Sequence, residues 1–73
     1  MSSDSSQQID SFTFTEQETG QQCWVGVRSV DGSVLLALSR KSDGDVEVCL
    51  RPDEATRIAK ALSNARSAIG RDN

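Results

Sequence analysis

The chain has no histidine and no tyrosine, and its 73 residues include only one tryptophan, one proline and two cysteines. Without His or Tyr the common proton-transfer groups are missing, and no Ser or Cys has a base spaced to activate it. No glycine-rich loop suited to phosphates occurs either. We therefore expect a protein that is not an enzyme, with no cofactor and no small-molecule substrate. Two cysteines are too few for a disulfide framework, and a structural metal site would need more Cys or some His. No stretch approaches the ~20 apolar residues of a membrane span. The N-terminus MSSDSSQQID lacks the basic start and apolar run of a secretory signal. These absences point to a soluble cytoplasmic protein with no membrane partner.

The formal net charge is -3, but its distribution matters more than its sum. Residues 1–22 carry four carboxylates and no base, whereas residues 23–73 carry eight bases against seven carboxylates. The acidity is thus concentrated at the N-terminal end, and both acidic and basic partners stay open. A single domain of this size supplies only about 3 to 5 kcal/mol from its own core. Self-association would offset that shortage, and a homodimer is expected.

Residues 1–8 are polar and low in apolar content, a composition that suits a disordered leader. From Ile9 the pattern changes to alternation, with Phe12 and Phe14 between Ser11, Thr13 and Thr15. Two Asp-Gly pairs, Asp31-Gly32 and Asp43-Gly44, then divide residues 23–50 into three strand-like runs. Such pairs favour tight hairpins because glycine takes positive φ at little steric cost. A two-residue loop at Asp31-Gly32 pairs Val27 with Leu36, Val25 with Leu38, Gly26 with Ala37 and Arg28 with Leu35. For the second hairpin a three-residue loop, Ser42-Asp43-Gly44, pairs Leu38 with Val48, Leu36 with Leu50 and Lys41 with Asp45. After Leu50 the period lengthens to about 3.6, and Ala55, Ile58, Ala59, Leu62, Ala65 and Ile69 form a stripe. Pro52 suits the first helical position, Asp53 and Glu54 suit the positive end of the dipole, and Gly70 is expected to stop the helix. Arg51 falls at the N-cap, where it is a poor choice.

The expected fold is α+β: a four-stranded antiparallel meander followed by one C-terminal helix packed on one sheet face. The domain should span residues 9–70, with a short tail at 71–73. One face of the sheet carries Val25, Val27, Leu36, Leu38, Val46, Val48 and Leu50, with Phe12 and Phe14, and belongs under the helix. The other carries Trp24, Gly26, Arg28, Leu35, Ala37, Ser39, Glu47, Cys49 and Arg51. Cys23 and Cys49 fall on opposite faces, which excludes a disulfide within the chain. Asp43, Asp45 and Glu47 are explained by strand alternation and turn chemistry rather than by a cation.

Trp24 on the uncovered face is the sharpest candidate. Gly26, Ala37 and Cys49 form a row of small side chains beside it, bounded by Arg28, Leu35 and Arg51. An indole next to guanidinium groups can stack bases and meet phosphates. The same surface could equally bury Trp24 and Leu35 against a second copy.

The segments WVGVRSVDGSVLLALSRK and VEVCLRPDEATRIAKAL resemble the ββββα single-stranded DNA binders typified by the coactivator positive cofactor four, with PUR repeats and whirly proteins as relatives in architecture. The shared pattern is an aromatic-Val-x-Val-Arg strand (Trp24, Val25, Val27, Arg28), a Gly turn (Gly32), and an apolar second strand ending in basic residues (Val34 to Leu38, then Arg40). It closes with a Leu-x-Pro-acidic lead into the helix (Leu50, Pro52, Asp53). The resemblance covers residues 9–69. It implies a homodimer binding single-stranded nucleic acid in a transcription or replication accessory role, with Arg28, Arg40, Lys41 and Arg51 on phosphates and Trp24 stacking. The sheet here is less basic than is usual in that family. The alternative is a protein-binding inhibitor or accessory factor of phage or plasmid type, acting through the exposed sheet face or the acidic leader.

Overall fold

A computed structural model describes residues 6–71, with side chains to residue 70. Four strands, β1 (Gln7–Thr15), β2 (Gln22–Val30), β3 (Ser33–Arg40) and β4 (Gly44–Leu50), are followed by the helix α1 (Pro52–Arg71). The strands form one antiparallel sheet in sequence order, which gives the expected ββββα arrangement. β1 begins at Gln7, inside the segment expected to be a disordered leader; residues 1–5 of that leader and 72–73 of the tail lie outside the described residues. No described helix is long and apolar enough to cross a membrane.

The first hairpin has the expected register. Val30 pairs with Ser33, and Val27, Val25, Gly26 and Arg28 meet Leu36, Leu38, Ala37 and Leu35. Asp31 and Gly32 both have positive φ, 49° and 80°, which matches the twist that a two-residue hairpin needs. The second hairpin differs from its expected register by two residues. Arg40 pairs with Gly44, so the loop is Lys41-Ser42-Asp43, and Leu38, Leu36 and Val34 meet Val46, Val48 and Leu50. Gly44 still takes the left-handed conformation, at φ 82°. A shift of two preserves the alternation, so every residue keeps its assigned face.

Contacts at the turn explain the register. The Asp43 N–H donates to the Arg40 carbonyl at 3.0 Å, and the Arg40 guanidinium pairs with the Asp43 carboxylate. The Ser42 hydroxyl donates to Gln21 Oε1 at 2.7 Å, tying this turn to the β1–β2 loop. The two outer strands are unlike each other. β1 is interrupted by a register shift between Gln8 and Asp10, whereas β4 pairs without interruption.

The seat of the helix departs from expectation. α1 touches β3 and β4 alone among the strands, and its stripe stays open, with Leu62 67% and Ile69 68% exposed. The apolar sheet face is open too, with Phe12 54%, Leu38 47% and Val46 60% exposed. Cys23 is the one buried apolar side chain among the described residues. A 20-residue helix and a nine-residue strand each run about 30 Å. The molecule is 53 Å in its longest dimension, so the two lie nearly end to end. The cause is local: only Arg51 separates Leu50 from Pro52, and one residue of connection does not turn the chain back over the sheet.

That junction is capped from the helix side. Arg51 donates its backbone N–H to Glu54 Oε1 at 2.9 Å, and Ala55 N–H bonds the Arg51 carbonyl at 3.0 Å. Glu54 thus supplies the N3 half of a capping box and offsets the missing side-chain cap at Arg51. Gly70, expected to stop the helix, lies within it, and the helix runs to Arg71. Replacing Gly32 with Ala, at φ 80°, should lower stability by about 1 kcal/mol through the left-handed penalty. A urea titration matching the native midpoint would remove the turn from the determinants of this fold.

Candidate functional site

β2 carries the site because its alternation sends Trp24, Gly26 and Arg28 to one face, opposite Cys23, Val25 and Val27. The Trp24 indole lies along its own strand over Gly26, and a Cβ at position 26 would overlap the six-membered ring. Glycine there is a packing requirement of the indole. Trp24 remains 38% exposed, so the ring is supported from below and open above.

Arg28 reaches across β3 to Glu47, with Nη2 to Oε2 at 3.3 Å and both side chains about half exposed. Trp24, Arg28, Leu35 and Glu47 border a hollow of about 380 Å³ that also touches Gln8, Gly26 and Ala37. Of the row of small residues expected from the sequence, Gly26 and Ala37 lie side by side, but the shifted register puts Glu47 rather than Cys49 next to Ala37, and the indole covers Gly26. Cys49 faces the same side and is exposed and reduced, whereas Cys23 is buried on the other side and also reduced.

Of the six candidate residues, the structure brings together Trp24, Arg28 and Leu35. Arg40 pairs with Cys23 across the sheet and so belongs to the opposite, apolar face. It is held there between two carboxylates, Glu16 at 3.1 Å and Asp43. Lys41 lies in the β3–β4 turn, and Arg51 lies at the helix start with an 80% exposed side chain beside Glu54 at 3.4 Å. Glu47 was legible as a neighbour on this face, but its capture of Arg28 was not, because the contact is diagonal across an intervening strand. Gln21 and Glu16 gave no signal, since polar loop residues look alike in sequence.

The Arg40 cluster joins the β1–β2 loop to the β3–β4 turn. Glu16 is held below its ordinary value of 4.5, first by the hydrogen bond from Thr19 and then by Arg40. Arg40 is held above its ordinary value, first by Asp43 and then by Glu16. A carboxylate with a lowered folded pKa contributes stability above its ordinary value and loses it as pH falls through the lowered one. The melting temperature should accordingly fall on acidification below pH 4.5, and less steeply in Glu16→Gln. Parallel profiles for the two proteins would mean that the clamp contributes nothing. At the Trp24 site, Gly26→Ala should displace the indole, with a red-shifted emission and easier quenching by acrylamide; unchanged spectra would contradict the close approach.

No family model, no curated protein and no solved structure matches this chain.

Proposed function

We propose that this chain is a non-enzymatic homodimeric module whose Trp24 face binds single-stranded nucleic acid in an accessory role to transcription or replication. The observation that carries this reading is the Trp24 indole, spread over Gly26 and open on its outer side. Base stacking on such a ring contributes about 1 to 3 kcal/mol per base and is indifferent to sequence. Arg28 stands beside it as the phosphate contact. The sequence resemblance to ββββα single-stranded DNA binders supplies the ligand class. The larger open apolar surface lies on the opposite face, at Phe12, Leu38 and Val46. Dimerisation there leaves Trp24 available.

The charge of the sheet favours a second reading, a protein-binding inhibitor or accessory factor. Arg28 and Arg40 are both engaged by carboxylates, and phosphate neutralisation supplies most nonspecific affinity for nucleic acid. A partner that survives nuclease treatment on a Trp24-dependent affinity column would support this reading over the first.

Anisotropy of a labelled oligonucleotide at low ionic strength tests the first reading. Trp24→Ala should weaken binding about tenfold with little change in salt slope. Arg28→Glu should weaken it and flatten the slope, whereas Glu47→Gln, by releasing Arg28, should tighten it several-fold. No binding by the native chain in excess would end the nucleic-acid reading.

A further inference from the structure

Two apolar surfaces lie open among the described residues. One is the sheet face bearing Phe12, Phe14, Leu38, Val46 and Val48, all at least 40% exposed. The other is the helix stripe that ends in Leu62 and Ile69. The first turns of α1 approach β3 and β4, where Ala55 is half-buried and Ile58 is 37% exposed. Beyond Ala55, every helix residue from 56 to 70 is exposed, and among the described strands only β3 and β4 touch the helix.

We infer that the dimer forms by exchange of helices: the distal half of α1 from one copy lies on the Phe14, Leu38 and Val46 end of the partner's sheet, and the reverse. This rests on the homodimer reading above and specifies its interface. Three observations select a second copy as the occupant. The first is area. A folded chain of this mass, 7.9 kDa, exposes roughly 4,400 Å² by the general scaling with mass, whereas this one exposes 5942 Å². The excess of about 1,500 Å² is more than the roughly 800 Å² each partner gives to a standard interface and lies in the obligate range. The radius of gyration agrees, at 14.8 Å against about 11 Å for a globular chain of this length.

Charge is the second. Residues 7–50 hold seven carboxylates against three bases, and residues 51–70 hold four bases against two carboxylates. Arg66 lies within the distal half of the helix. The open end of the apolar face is a hollow of about 440 Å³ lined by Phe14, Cys23, Leu38 and Val46 and rimmed by Glu16, Asp43 and the Arg40 that pairs with both. The helix offers the apolar stripe that this hollow lacks, and its excess of bases suits a rim where two carboxylates share one guanidinium. Symmetry is the third. An isologous two-fold contact needs each copy to supply both halves, and each chain has one helix stripe and one open sheet face.

Disulfide trapping in the full-length chain tests this arrangement, with Cys23 replaced by Ala, because it faces Phe14 across the β1–β2 pair, and Cys49 replaced by Ser. Chains carrying Val46→Cys or Phe14→Cys are mixed with differently tagged chains carrying Leu62→Cys or Ile69→Cys and then oxidised. A mixed-tag covalent dimer in at least one pairing is expected, while a chain carrying both substitutions should form interchain products rather than close on itself. Closure within one chain, or no mixed product in any pairing, overturns the exchange. Sedimentation of the native chain separates the two levels. A dimer without trapping leaves the homodimer reading standing, and a monomer at all concentrations removes both. Hydrogen exchange of the native chain avoids substitutions altogether. Protection of β4 and of residues 58–69 should be lost together on dilution, and independent loss overturns the exchange.

Discussion

Burial of the sheet's apolar face is the constraint on which this protein depends. Phe12, Val25, Val27, Leu36, Leu38, Val46 and Val48 share that face by strand register, and exposing such side chains costs about 25 cal/mol for each Å². A single sheet layer cannot exclude water from its own surface. The helix could have done so, yet it leaves the sheet after one residue and runs outward. Hydrogen bonding along the strands and the capping of Arg51 by Glu54 fix local geometry, but they do not remove this apolar area from water.

The two faces differ in kind. The apolar face has the larger open hydrophobic surface, and the polar face carries the Trp24 hollow. Trp24 on that second face is held by its own strand rather than by a core, so it is ordered and still reachable. Arg28 and Arg40, alike in sequence, end up in different roles. One borders the Trp24 hollow, and the other clamps two loops together on the far side.

Much of this arrangement was legible in the residues. Asp31-Gly32 allows one loop length, and that length set the pairing of β2 with β3 and the faces of Trp24, Arg28 and Cys23. Asp43-Gly44 allowed more than one. Strand alternation repeats every two residues, so a shift by two satisfies the apolar pattern equally, and long-range contacts from Gln21 and Asp43 decide. The seat of the helix was not legible for a deeper reason. A stripe of Ile58, Leu62 and Ile69 states that something apolar must cover it, but periodicity carries no information about which chain supplies the cover. Arg51 looked misplaced because its compensation comes from Glu54, three residues on.

The bulge in β1 has a further consequence. Between Gln8 and Asp10 it interrupts the outward row of backbone donors and acceptors, while the free side of β4 is regular from Gly44 to Leu50. Bulged edges resist the addition of strands and regular ones invite it. The two borders of the sheet therefore differ at one end: β4 is receptive along its whole length, whereas β1 is regular only from Asp10 to Thr15 and its bulged start turns a further strand away.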